Sequence, residues 1–282
     1  MVLMTILCIL VALGLIAIWR WGHLDLEVPW DSDEGSWPLA PREAFRRFLW
    51  YMTIALVSGI VAGVVMIGAG GRLAMRLLAI TAGETAQGRI TEADEVVGRI
   101  TQDGTIGFIL FNGILGGLVF GFLYMVIRRW LPQGRWGGIA YGSLLLIIGG
   151  TRIDPLRAEN PDFDIVGPGW LALAIFVALG LAYGMLVSAL AGRYSRVLPL
   201  ITKERRTIAR YAPLLLLAPA FIVIVPLTIV GLLSMLFSRT DSLDRILGSR
   251  RTLIVGRVVG LVLVAIAAPG FAVALADIAA RP

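Results

Sequence analysis

The sequence consists of long apolar runs separated by short charged segments, the pattern of a chain that crosses a membrane repeatedly as α-helices. The runs are continuous and do not alternate apolar with polar residues, so they do not predict strands. We therefore predict a single all-α transmembrane domain over residues 1–282, a bundle of about seven helices. The predicted spans are 2–19, 48–80, 106–127, 137–150, 170–190, 212–237 and 253–279.

Seven spans would place the two termini on opposite sides of the membrane. The segments that would share a face with the C-terminus carry 14 basic residues, and the segments of the other face carry 8. Basic residues concentrate on the cytoplasmic side, so this bias predicts an external N-terminus and a cytoplasmic C-terminus. The segments compared are 20–47, 128–135, 192–210 and the C-terminal end, against 81–104, 151–167 and 238–251.

Composition supports a membrane chain and excludes several kinds of site. The chain is 58% hydrophobic and 16% charged, with a net charge of +6 carried mainly in the loops. We therefore expect the lipid bilayer, in a bacterial-type cytoplasmic membrane, and no nucleic acid as a partner. Cys8 is the one cysteine and His23 the one histidine, so a disulfide within the chain and a bis-histidine haem are excluded. No cofactor is predicted.

The third span is rich in glycine at helical spacing. Gly113, Gly117 and Gly121 form two successive G-x-x-x-G steps. Such steps let two helix backbones approach closely, so they predict tight packing through this face.

Arginines inside apolar runs are the first candidate for a binding site. Arg72 and Arg76 share one face near the end of the second span, and Arg257 lies in the seventh. The predicted topology places all three, with Asn112, in the outer part of the bundle, where they would cradle an anion. The alternative is that they snorkel to the interface or pair with loop carboxylates.

The outer loop 151–167 supplies those carboxylates. Asp154, Asp162 and Asp164 lie in a proline-rich stretch that we predict to cap the outer end of the bundle, at least one aspartate pairing with Arg72, Arg76 or Arg257. In the preceding outer loop, residues 91–94 (Thr-Glu-Ala-Asp) resemble a capping box and predict a short helix over 92–99.

A basic cluster follows the fifth span on the predicted cytoplasmic side. Clusters of this kind bind anionic lipid headgroups as well as setting orientation. Its members are Lys203, Arg205, Arg206 and Arg210.

Motifs of catalysis are missing from the sequence. It contains no Walker A sequence, G-x-S-x-G, H-E-x-x-H or C-x-x-C, and no span carries a carboxylate before Asp277. We therefore expect no enzyme activity. The sequence favours a non-catalytic structural or partner-binding membrane subunit, with a membrane protein or a second copy as partner. The alternative is a transporter or channel for an anionic solute with an outward-facing, arginine-lined cavity, and a membrane enzyme ranks behind both.

Overall fold

A computed structural model shows long helices packed side by side. The structure describes residues 2–30, 41–92, 95–99, 101–153, 155–202, 204–217, 229 and 250–281. The named elements in these ranges are all helical, and an isolated bridge joins Ile90 to Val96. Five of the described helices are long and apolar enough to cross a membrane. These are the helices of a helical membrane protein.

Two of the membrane-length helices are composites. The helices Arg42–Thr81 and Gln102–Trp130 each contain a π-helical segment between two α-helical ones. The α-helices are α1 (Val2–Trp21), α2 (Pro41–Ala62), α3 (Gly71–Thr81), α4 (Gln102–Phe108), α5 (Gly117–Ile127), α6 (Arg135–Leu145), α7 (Gly169–Ser195), α8 (Arg205–Ala209) and α9 (Arg250–Ala279). The π-helical segments are Gly63–Gly70, Ile109–Gly116 and Leu146–Gly150. Four short 3-10 helices are Glu84–Ala86, Arg128–Trp130, Pro161–Asp164 and Ala212–Leu217.

Five of the seven predicted spans correspond to helices of membrane length. The predicted span 137–150 is also helical, formed by α6 and the π segment that ends at Gly150, but it is shorter than the others. The predicted span 212–237 begins with the 3-10 helix Ala212–Leu217, and nearly all of the rest lies outside the described residues. The total number of spans stays a prediction.

Local sequence explains where two of these helices begin. Pro41 opens α2, where its fixed φ suits the first turn and its missing N–H leaves no bond unmade. Glu43 in that turn pairs with Arg46 and Arg47, at 3.1 and 3.2 Å. Thr101 caps α4, its Oγ1 accepting a hydrogen bond from the Gly104 N–H at 3.1 Å.

The glycines of the third span pack against the second helix. A Cβ added at Gly117 would lie 2.5 Å from the carbonyl oxygen of Gly59 and 2.9 Å from the Cα of Gly63. At Gly121 it would lie 2.6 Å from the carbonyl oxygen of Ala55. Real side chains do not approach a backbone so closely, so only glycine fits here. The predicted packing role of the G-x-x-x-G steps is confirmed.

A second glycine contact joins α6 to α7. A Cβ at Gly138 would lie 2.7 Å from the Cα of Met185, and one at Gly142 would lie 2.8 Å from the Cα of Leu181. Two backbone-to-backbone seams therefore hold the bundle, one between α2 and α5 and the other between α6 and α7. Sequence reasoning did not identify the second seam.

The bundle has two ends, which we name from their contents. The cap end holds the described residues of the loops 82–101 and 151–168, and the basic end holds the described residues of 22–30, 131–134 and 196–204. At the basic end, Arg135 donates to the Trp19 carbonyl at 3.1 Å and the Gly134 N–H donates to Asp25 at 2.7 Å. Because α1 ends there and is 20 residues long, it begins at the cap end.

Helix α9 runs from the basic end to the cap end. Near its start, Gly256 lies against the ring of Trp130, and just beyond its last turn the Arg281 carbonyl accepts from the Gly169 N–H at 3.2 Å. Both ends of the described chain therefore lie at the cap end. The sequence prediction put the termini at opposite ends, and the structure corrects it because α9 starts beside Trp130.

Candidate functional site

At the cap end, two loops and the end of α9 are joined by hydrogen bonds and ion pairs. Its first loop turns back on itself: Thr91 Oγ1 accepts from the Glu95 N–H at 3.2 Å, and the Thr91 N–H donates to the Glu95 carbonyl at 2.9 Å. The bridge between Ile90 and Val96 continues this turn, and Val97 is buried beneath it. The predicted helix over 92–99 is therefore wrong, since the hydroxyl of Thr91 closes a turn instead of capping a helix.

The second cap loop is bound to the first. Glu92 pairs with Arg157, and the Glu92 N–H donates to Asp162 Oδ1 at 2.8 Å. Leu156 and Phe163 of the second loop are buried below these contacts. The loop is thus anchored by apolar side chains underneath and by charges on top.

Arg281 ties the end of α9 to the same layer. Its guanidinium pairs with Asp164 at 3.2 Å and donates to the carbonyls of Ala158 and Asn160. One arginine therefore satisfies three acceptors of the second cap loop. Sequence reasoning missed this residue because its side was assigned from the number of spans.

The three arginines predicted to form an anion site lie in different parts of the structure. Arg72 and Arg76 both lie at the cap end, where Arg76 donates to the Gly98 carbonyl at 3.2 Å and the Arg72 guanidinium lies 5.4 Å from the Phe108 ring. Arg257 is exposed two turns from the start of α9, in the half of the bundle nearer the basic end. The three arginines therefore do not meet at one level.

The predicted partners of those arginines have other contacts. Asp164 pairs with Arg281 and Asp162 accepts from the Glu92 N–H, so neither pairs with Arg72, Arg76 or Arg257 among the described residues. Asp154 lies outside them. Arg72 and Glu95 both approach Gly104, since a Cβ on Gly104 would lie 2.9 Å from the Arg72 Nη2 and 2.8 Å from the Glu95 Oε1.

Asn112 does not join the arginines either. It lies in the π-helical segment Ile109–Gly116, where the adjacent Gly113 faces α2 and the Asn112 side chain is exposed. No hydrogen bond joins its amide to a described residue.

Arginines and aromatic rings pack together at the basic end. The Arg47 guanidinium lies 4.7 Å from the Trp30 ring, and Arg128 lies 5.3 Å from the Tyr51 ring. The buried indole of Trp50 donates to the Leu198 carbonyl at 2.8 Å. This layer joins α2 to the segment after α7 and has the Trp, Tyr and Arg content of a membrane interface.

The predicted lipid-headgroup cluster lies on this end. Arg205 and Arg206 are exposed on the one-turn helix α8, and Arg210, after it, donates to the Val197 carbonyl at 2.9 Å. Lys203 lies outside the described residues. Headgroup binding by this cluster stays a prediction.

A small apolar groove of about 240 Å³ opens near the basic end, between α1, α6 and α7. Leu15, Ile18, Ile139 and Met185 line its walls, and Arg135 lies among its lining residues. Its volume is below the range of pockets that enclose small molecules, roughly 300–1,000 Å³.

Three tyrosines that sequence reasoning passed over lie in the centre of the bundle. Tyr124 donates to Ser188 at 3.0 Å, Tyr183 donates to the Gly117 carbonyl at 3.3 Å, and Tyr141 donates to the Phe120 carbonyl. Each hydroxyl has an acceptor, so these residues tie helices together. Their signal in the sequence was tyrosine inside a span, away from the interface where it is usual.

No protein-family model matches the sequence, and comparisons with curated proteins and with solved structures return no match. The geometry therefore carries the functional argument alone. At both polar ends charged side chains such as Arg281 and Arg135 bond within the chain, while the lateral surface of the bundle presents exposed apolar helix faces.

Proposed function

We propose that the protein is a non-catalytic subunit of a bacterial-type cytoplasmic membrane, and that it binds a partner protein within the bilayer through α9. The observation that carries this proposal is the isolation of α9. In its most apolar stretch 6% of the residues are buried, against 67% for the helix Arg42–Thr81. Its described contacts lie near its start, at Trp130, and over its last third, where Phe271 and Ile278 belong to the apolar cluster at the cap end.

The glycines of α9 distinguish a protein partner from lipid. A Cβ added at Gly260 or Gly270 would meet nothing within 4 Å, whereas in the two seams the glycines meet backbone. A glycine inside a helix costs roughly 0.5–1 kcal/mol relative to alanine. Close approach of another helix offsets that cost and lipid chains do not, so Gly260 and Gly270 favour a helical partner.

The anion-cavity alternative has less support. It needs Arg72, Arg76 and Arg257 around one opening, but Arg257 lies in the other half of the bundle. Arg76 is already bonded to the Gly98 carbonyl, and Arg72 lies over Phe108.

Charge supports a cytoplasmic basic end. Fourteen described arginines lie there, against five in the cap-end loops and termini and two more, Arg72 and Arg76, in α3 at the cap end. The positive-inside rule assigns the end with the larger number to the cytoplasm. Both termini are then external. The fourteen are Arg20, Arg42, Arg46, Arg47, Arg128, Arg129, Arg135, Arg193, Arg196, Arg205, Arg206, Arg210, Arg250 and Arg251, and the five are Arg89, Arg99, Arg152, Arg157 and Arg281.

Cysteine labelling in intact cells tests the sidedness. Cys8→Ser gives a background without cysteine, into which Gln102→Cys, Ala280→Cys or Gln133→Cys is introduced, all at exposed positions. An impermeant maleimide should label positions 102 and 280 from outside, and position 133 only after permeabilisation. Labelling of position 280 together with 133 would restore the prediction of termini on opposite sides.

Photocrosslinking tests partner binding. A photoreactive amino acid is placed in turn at Val258, Leu261 and Val262 of α9, and at Leu13 and Ile16 of the similarly exposed α1 as matched controls. The α9 positions should give adducts with one and the same protein, and the α1 positions should not. Adducts with lipid alone at both helices, or with unrelated proteins at each position, would refute the proposal.

A further inference from the structure

Helix Gln102–Trp130 carries, deep in the membrane, an amide that bonds to no residue described by the structure. At 1.5 Å per residue it is about 43 Å long, and Asn112 lies about 6 Å from its middle. The hydrocarbon core is about 30 Å thick, so Asn112 lies well inside it. Its side chain is exposed and too short to reach the headgroups. An amide without a hydrogen bond is strongly unfavourable in hydrocarbon, so a hydrogen-bond partner at this position would be stabilising.

The residues around Asn112 form a regular stripe. Leu115, Val119 and Val126 are exposed at 44%, 56% and 63%, and Phe122 is partly exposed between them. Asn112 and Leu115 lie in the π-helical segment Ile109–Gly116, and the exposed fractions show that they share the outer face with the later residues. The spacings from Asn112 are three, seven, ten and fourteen residues, so the stripe repeats every seven residues along the sequence. This is the pattern of a coiled-coil seam.

The residue types in the stripe favour packing against a second helix in the parallel orientation. Asn112, Val119 and Val126 occupy equivalent positions of the repeat, and Leu115 and Phe122 occupy the other core position. β-branched residues at the first position with leucine at the second favour two parallel strands. A single asparagine at the first position fixes the register, because its amide bonds best to its counterpart.

A second copy of this chain satisfies these requirements. Two copies in one membrane share their orientation, so a two-fold axis along the membrane normal makes equivalent helices parallel and brings each residue opposite itself. An amide both donates and accepts, so Asn112 complements its own image.

We propose that the protein forms a homodimer through the stripe Asn112, Leu115, Val119, Phe122 and Val126, with the two Asn112 amides hydrogen-bonded across the axis. This surface lies on Gln102–Trp130 and its partner is a second copy, so it goes beyond the partner proposed for α9. Either can fail without the other.

Disulfide crosslinking in liposomes tests the dimer. In the Cys8→Ser background, Leu115→Cys places one cysteine in the stripe and Val262→Cys places one at a matched exposed position on α9, 50% exposed. Oxidation should link two copies through position 115 and not through 262. Because each variant has a single cysteine, a disulfide dimer must join two chains. Equal yields at both positions, or adducts of position 115 with another protein, would overturn the proposal.

Asn112→Leu separates the dimer from the fold. Leucine suits lipid, so this variant should stay folded while its dimer dissociation constant, measured by energy transfer between labelled copies, rises about tenfold or more. Asn112→Leu combined with Leu110→Asn keeps one exposed asparagine but moves it off the stripe, and position 115 should then crosslink poorly. Unchanged dimerisation of Asn112→Leu, or loss of its fold, would show that Asn112 does not act between two copies.

Discussion

Adding one methyl group at Gly117 should separate the α2–α5 seam. The Cβ of Gly117→Ala would lie 2.9 Å from the Cα of Gly63, whereas carbon atoms pack best about 3.5–4.0 Å apart. The atoms it meets are backbone, so relief requires a helix to move by roughly 1 Å. Overpacking of this kind costs about 1–3 kcal/mol, and the better helix propensity of alanine returns about 0.5–1 kcal/mol.

The neighbouring residue supplies a matched control. A Cβ at Gly116 would meet only the ends of the Ile67 and Phe120 side chains, both at 3.9 Å. Gly116→Ala should therefore be neutral or stabilising, while Gly117→Ala should be less stable by about 1–2 kcal/mol and Gly117→Leu by more. Reversible unfolding in mixed detergent micelles gives both free energies of unfolding. If Gly117→Ala proves as stable as Gly116→Ala, the two helices do not meet through this face.

Two further perturbations address the cap end and the basic end. Arg281→Gln should weaken the attachment of α9 by about 1–2 kcal/mol, seen as faster hydrogen exchange over 276–281, while Arg99→Gln, at an exposed cap-end position, should leave that exchange unchanged. Burial raises the pKa of Tyr211 to about 12, above the value near 10 of an unfolded phenol. The unfolded state therefore loses this proton first, and Tyr211 stabilises the fold fully below about pH 10 and progressively less toward pH 12. Melting temperatures across that range should fall in the parent and fall less in Tyr211→Phe; equal slopes would contradict the assignment.

Helix positions and one helix contact could be predicted from the sequence because both depend on local patterns. An apolar run of about 20 residues has one stable form in a membrane, so most boundaries of the long helices were close. The packing role of Gly117 could also be predicted from the sequence, since glycines repeated every four residues lie on one helix face. The seam between α6 and α7 was missed because its glycines are split between two spans, and pairing Gly142 with Gly180 requires the three-dimensional arrangement.

The direction of α9 could not be predicted in this way. Assigning a side by alternation accumulates error, because one miscounted crossing reverses every later segment. The reversed direction of α9 assigned both Arg257 and Arg281 to the wrong end. Arg257 was expected near Arg72, and Arg281 was expected far from Asp164. In the structure Arg281 contacts Asp164 and Arg257 lies in the opposite half of the bundle. A cap-loop aspartate, Asp164, therefore pairs with an arginine that was not among the predicted partners, and Asp154 lies outside the described residues.

The distribution of glycine separates the closed part of this molecule from the part available for binding. In the two seams the backbone of one helix occupies the space that a side chain at Gly117 or Gly142 would need, and the central tyrosine hydroxyls already have acceptors. The described tyrosines of that interior therefore already use their hydroxyl protons within the chain. On the periphery the situation is reversed, since Gly260 faces nothing within 4 Å and the amide of Asn112 is bonded to no described residue. Both features are unfavourable in lipid and become favourable when another helix covers them, so the surfaces that explain them are lateral ones.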